Sequence, residues 1–239
     1  MTPFARTRLE KAAADCGFER TPELVGGALV LRSAQFPESV SVTMSGDESF
    51  EVLTSEPMLL SAPNAEGGAI RGQGWLQLYD FLEKAAATAR TMPDRVAQKF
   101  HQATGALPKS TEAERLVVQR VGQNLFRAAL LDYWQGRCCV TGLAVPELLR
   151  ASHIKPWARC DSDEERLDVF NGLLLAPHLD ALFDGGWLSF AADGTALWSA
   201  ALLPDARTIL GVPPAPHLHG LLAQHQPYLA FHRGNVFRG

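Results

Sequence analysis

Residues 150–190, RASHIKPWARCDSDEERLDVFNGLLLAPHLDALFDGGWLSF, constrain the fold of this chain more than any other stretch. RASHI reads as a short strand that breaks at Pro156, because proline cannot donate to a sheet ladder and disfavours helix in the residue before it. Asn171 and Gly172 open an apolar run, GLLLAP, that reads as a second strand. Pro177 then stands at a helix-starting position, and HLDALFD forms a short helix that Gly185 and Gly186 stop. Strand, loop, strand and short helix place His153, Asn171 and His178 at the junctions.

The rest of the chain bounds what this unit belongs to. With 239 residues, 46% of them hydrophobic, it can bury one large or two ordinary cores without covalent staples. Cys16, Cys138, Cys139 and Cys160 form no CxxC pair, so reduced thiols in a cytoplasmic protein are expected. MTPFARTRLEK lacks the apolar core of a secretory signal, and no run reaches the roughly 18 apolar residues of a membrane span, so no membrane partner is expected. The net charge of -4 argues against a protein that coats nucleic acid nonspecifically. Locally the balance reverses: Arg115, Arg120, Arg127, Arg137, Arg150, Lys155 and Arg159 face only Asp132 and Glu147 over the same stretch. DSDEE at 161–165 follows at once, which makes any polyanion site a patch.

Residues 3–16 read as a helix with proline near its start and glycine after its end. Strands are expected at 28–33, 39–45 and 49–55, with Val40, Val42 and Met44 alternating with polar residues at period two. A helix at 74–91 sets Leu76, Tyr79, Leu82 and Ala86 along one side, and a second, polar helix carries His101 on its surface. No His, Cys or paired-carboxylate cluster commits this region to chemistry. It could be a scaffold or oligomerisation unit, or a reader of DNA or of a signal.

GALPKST at 105–111 is the best linker candidate. Thr111 then caps a long helix with Glu112 and Glu114 in its first turn. Val118, Val121, Leu125, Ala128 and Ala129 fall on one side of that helix, with Arg120, Gln123 and Arg127 opposite. The arginines could follow a phosphate backbone or simply be solvated. RCCVTG at 137–142 reads as a short strand and turn.

Asp180 and Asp184 lie one helical turn apart near His178. One imidazole with one or two carboxylates suits Mg, Mn or Zn with open water positions, and a second, unligated imidazole can take the proton of an attacking water. That combination hydrolyses phosphodiesters.

At these residues the sequence resembles the HNH endonucleases of the ββα-metal type, and especially a bacterial restriction-endonuclease branch. The similarity runs from QRVGQNLFRAALLDYWQGRCCVTGL through SHIKPW and FNGLLLAPHLDALFDGGWLSF to YLAFHRGNVF, about residues 112–239. It implies that His153 is the general base and Asn171 the central asparagine that orients the loop and base or, in some members, binds the metal. It implies His178 as a metal ligand, with Asp180 at the position where many relatives have histidine. Ser152 departs from the pattern, since many members place an aspartate or histidine ligand there; water, Asp168, Asp180 or Asp184 would then complete the shell.

The expected fold class is α+β: a small N-terminal α+β domain over 1–105, then an HNH nuclease domain over 106–239 introduced by a long helix. The expected function is metal-dependent hydrolysis of DNA phosphodiester bonds in restriction or defence. Expected catalytic residues are His153 and Asn171, metal ligands His178, Asp180 and Asp184, and DNA contacts Arg120, Arg127, Lys155 and Arg159. Mg or Mn is the expected ion, with Zn or Ni open. DNA is the expected partner, and a homodimer is also open. A catalytically degenerate DNA-binding module and a ligand- or partner-gated effector are the competing readings. His217, His219 and His225, in PPAPHLHGLLAQHQP, read as surface loop or helix entry, and His232 and Arg233 as structural.

Overall fold

The computed structural model describes residues 1–59, 69–108 and 110–239. The chain is α+β and divides into two compact units, Met1–Arg90 and Thr91–Gly239. No helix of the described residues is long and apolar enough to cross a membrane.

The first unit is an antiparallel meander of five strands in sequential order: β1 (Glu23–Val25), β2 (Ala28–Arg32), β3 (Ser39–Met44), β4 (Ser49–Thr54) and β5 (Ala69–Gln73). Leu29, Leu31, Val40, Val42, Met44, Phe50 and Val52 are buried at alternate positions, which is the period-two pattern of a sheet with one covered face. Helices α1 (Pro3–Asp15) and α2 (Trp75–Arg90) pack together, and α2 also packs on β5. The expected strands and helices lie within a residue or so of these. The apolar face of α2 is met in part: Leu82 and Ala86 are buried as expected, but Leu76 is 89% exposed and Trp75, Leu78, Phe81 and Ala85 are buried. The buried stripe follows the i, i+3, i+4 row that starts one residue earlier.

The second unit begins before the expected linker. Helix α3 (Pro93–Thr104) packs against α4 (Glu112–Tyr133) and α5 (Asp163–Leu167), so the 105–111 stretch lies inside this unit; residue 109 is outside the described residues. His101 stays exposed and pairs with Glu164 of α5 at 3.3 Å. Thr111 caps α4 in a reciprocal capping box with Glu114. The buried face of α4 is Gly122, Phe126, Ala129, Leu130 and Tyr133, rotated from the expected one. That rotation turns Arg127 inward.

Strands β6 (Arg150–His153) and β7 (Gly172–Leu175) pair antiparallel, with His153 opposite Gly172. Helix α6 (Pro177–Asp184) follows β7 and packs on β6, while α4 covers both strands. Residues 137–142 form a turn, not the expected strand, and the Cys139 N–H donates to the Leu174 carbonyl at 2.9 Å. The four cysteines are free and buried. A second two-stranded ladder, β8 (Leu188–Phe190) with β9 (Ala196–Trp198), precedes α7 (Pro204–Ile209) and α8 (Gln226–Asn235). His232 of α8 accepts from Ser189 Oγ at 2.9 Å, donates to the Phe183 carbonyl at 3.1 Å and stacks on Phe183, which ties α8 to β8 and α6.

Candidate active site

His153 ends β6, and three groups fix its ring. Phe126 of α4 stacks on one face with centroids 3.8 Å apart, and Trp157 meets it edge-on at 5.4 Å. The third is a hydrogen bond from Nε2 to the Arg166 carbonyl at 2.8 Å. A carbonyl can only accept, so Nε2 carries the proton and Nδ1 keeps its lone pair. Burial pushes the imidazole down to about 4, against a smaller upward pull from that carbonyl. At neutral pH His153 is therefore an uncharged base.

Two glycines make this packing possible. A Cβ on Gly172 would come within 2.7 Å of Phe126 and Leu130, and one on Gly122 within 2.8 Å of the Trp157 ring. Their bare backbones let α4 approach the β6–β7 pair and let Trp157 lie over α4.

Behind the base, β6 alternates. Arg150 and Ser152 share the face opposite His153, as period two requires. Ser152 is buried and its Oγ donates to Asp184 Oδ1 at 3.1 Å. Burial raises the carboxyls of both Asp180 and Asp184, and repulsion from Asp180 raises Asp184 further. Ser152 pulls both down, and Arg150 pulls down Asp180. Ser152, His153, Trp157, Asp184, His232 and Val236 line one cleft of about 350 Å³.

A hard divalent ion fits this carboxylate pair. The donors are oxygens, the two acids lie i, i+4 on one helix face, and their shared negative charge is offset by one neighbouring arginine. Waters would have to complete the shell, because among the described residues no group of three or more His, Cys, Asp or Glu is arranged to hold a metal.

His178 takes another direction. Two residues from Asp180 it lies about 200° around the helix, given 3.6 residues per turn, and its Nε2 is buried without a partner among the described residues. The helical register thus separates it from the Asp180–Asp184 pair. Asp168 is also engaged elsewhere, accepting from Tyr228 Oη at 2.7 Å and the Phe170 N–H at 2.8 Å.

Asn171 is fully buried. Its Oδ1 accepts from the Lys155 N–H at 2.7 Å, and its Nδ2 donates to the carbonyls of Lys155 and Glu165, each at 3.2 Å, and to Cys160 Sγ at 3.4 Å. With its donors and acceptor engaged in the 154–165 loop, Asn171 holds the loop that follows His153.

The expected DNA contacts divide. Arg127 donates to the Leu149 and Pro146 carbonyls, both at 2.7 Å, and Lys155 is held by Glu165 at 2.8 Å and Asp161 at 2.9 Å, its side chain only 11% exposed. Both cations are spent on the fold. Arg120 and Arg159 are exposed. Arg150 is exposed as well and lies next to Asp180, a place that the alternation of β6 signals.

Residues 138–191 match the HNH endonuclease family. The matched segment covers β6, the loop, β7, α6 and β8, and so contains every element that forms the cleft except α8. No curated protein matches the chain. Through this segment the second unit is similar to HNH endonucleases, which as a class act on DNA with a divalent metal.

Proposed function

We propose that the second unit is a divalent-metal-dependent endonuclease that hydrolyses DNA phosphodiester bonds, acting in restriction or defence. The observation that supports it is His153, neutral and with Nδ1 unshared, lining the same cleft as Asp184 of the carboxylate pair.

In this reading His153 Nδ1 takes the proton from a water directed at phosphorus. Asp180 and Asp184 would hold a Mg or Mn ion, which would supply positive charge against the phosphate and the departing oxygen. The oxygen-only pair favours these over Zn or Ni. Ser152 fixes the orientation of Asp184, and Arg150 offers a cation to a phosphate beside the acids. Trp157 and Phe126 keep the base ring from turning. Arg120 and Arg159 would contact the DNA backbone further out, giving position without sequence.

A supercoiled-plasmid assay with Mg or Mn tests this. Wild type should nick or linearise the plasmid, while His153→Ala and Asp184→Asn should lose about a hundredfold or more in rate. Equal cutting by wild type and His153→Ala would overturn the assignment.

Ser152 supports a second reading, a module that binds DNA without cutting it, because a hydroxyl stands where a charged ligand would strengthen the shell. Salt-sensitive DNA binding by a wild-type chain that cuts no plasmid with either ion would select it.

A further inference from the structure

We infer that Arg166 is a positioning residue: its guanidinium braces residues 157–163, so that its own main-chain carbonyl holds His153 as the Nε2–H tautomer and leaves Nδ1 for the reaction. This rests on the proposed role of His153 as base.

Three histidines in this unit are pushed down to about 4 by burial, His153, His225 and His232. In two of them Nδ1 is occupied: His225 accepts from the Leu222 N–H at 3.1 Å, and His232 from Ser189 Oγ at 2.9 Å. Of these three, only His153 has Nε2 bonded and Nδ1 without a hydrogen bond. The Arg166 carbonyl makes that difference.

The carbonyl sits in α5, a helix of five residues, too short to hold a register by itself. The Arg166 side chain supplies the missing constraint. Its Nη2 donates to the Cys160 carbonyl at 2.7 Å, its Nη1 to Asp163 Oδ1 at 3.0 Å and its Nε to the Trp157 carbonyl at 3.3 Å. One planar group thus links the start of the loop, its middle and the first turn of α5. Because Trp157 stands edge-on to His153, the same group fixes a wall of the base pocket as well as the acceptor. A lysine could not reproduce this, since an ammonium is a point and the three acceptors lie along a fork. Lys155 with Glu165, and Asn171 with the Glu165 carbonyl, anchor the residue just before Arg166. The acidic run at 161–165, which in the sequence only bounds a polyanion patch, thus frames the loop beside His153 through its pairs with Lys155 and Arg166. Asp184 of α6 and His232 of α8 line the same cleft as His153, α5 presents the Arg166 carbonyl, and α4 presents Phe126.

Long-range proton–nitrogen spectra of the ¹⁵N-labelled full chain read the tautomer directly, with the His153 signals assigned by their loss in His153→Ala. Wild type should show a single Nε2–H tautomer with a titration midpoint well below that of a free imidazole. Arg166→Met should show averaged tautomer shifts and a midpoint moved downward as the upward pull of the carbonyl is lost, and plasmid nicking should lose about tenfold in kcat with KM little changed. Arg166→Lys should not restore either. A folded Arg166→Met that keeps the pure Nε2–H tautomer and the wild-type midpoint overturns the inference. If Arg166→Met does not fold, Arg166→Lys and Asp163→Asn carry the test: mixed tautomers support the brace, and unchanged spectra in both overturn it. Tautomer loss in a chain that cuts no DNA would leave the brace standing and remove the nuclease reading. His153-dependent cutting with an unaltered tautomer would do the reverse.

Discussion

Ser152 Oγ lies 3.1 Å from Asp184 Oδ1, so the residue before the proposed base is hydrogen-bonded to the last residue of α6. Replacing it with alanine removes that bond, and replacing it with aspartate puts a third carboxylate against two whose pKa values are already raised. Ser152→Asp should therefore melt lower than wild type in EDTA and gain more in Tm on adding Mn²⁺, as a site that binds an ion only in the folded state must. Thermal melts with and without Mn²⁺ measure both. An equal Mn²⁺ shift in the two proteins would argue against an ion at this pair.

Asn171 should matter to folding before it matters to chemistry. Asn171→Ala leaves the Lys155 N–H and the Lys155 and Glu165 carbonyls without their side-chain partner inside the loop. A loss of about 2–4 kcal/mol in denaturant unfolding is expected from several buried groups left unsatisfied.

The two helix arginines should separate cleanly. Arg127→Met strips two main-chain carbonyls of a charged donor, and should lower stability by about 2 kcal/mol. Arg120→Ala and Arg159→Ala should leave stability within about 0.5 kcal/mol. Each should reduce the salt slope of DNA binding by about one, with Arg127→Met leaving the slope alone. Unfolding curves and binding titrations over a salt series check the three together.

His225 gives a pH test. It is fully buried among Tyr133, Trp134 and Phe170, its Nε2 has no partner among the described residues, and burial lowers it from 6.5 to about 4. Between those values the unfolded chain binds the proton more readily than the folded one. The stability that neutral His225 provides is thus complete above pH 6.5 and is lost as pH falls toward 4. Relative to His225→Phe, wild type should lose roughly 3 kcal/mol over that window. Denaturant titrations of both proteins at several pH values measure the difference, and a constant gap would show that His225 titrates normally.

Much of the site was legible because its punctuation is local. Pro156, Pro177, Asn171 and the Gly185–Gly186 pair mark strand ends and a helix start, and β6, β7 and α6 lie where those residues put them. What each side chain does there depends on partners distant in sequence. Lys155 looks like a phosphate contact until Glu165 is folded onto it, and Arg127 looks solvated until the 143–149 turn brings two carbonyls to it. His178 was nearest to legible: its two-residue offset from Asp180 already places it across the helix. The faces of α2 and α4 are legible only in part, Leu82, Ala86 and Ala129 being buried as expected, because their apolar residues outnumber the positions a single stripe can bury. β1 and β5 escaped because edge strands have little burial to impose alternation; β1 is exposed throughout.

Gly122 carries a consequence for anyone who would harden this protein. It stands mid-helix in α4, where exchange for alanine ordinarily adds about 1 kcal/mol, and its φ raises no objection. Yet the added methyl would meet the indole of Trp157. A change that thermostability screens reward would shift a wall of the base pocket, so here firmness of the scaffold and freedom of the reaction centre are set against each other at one hydrogen atom.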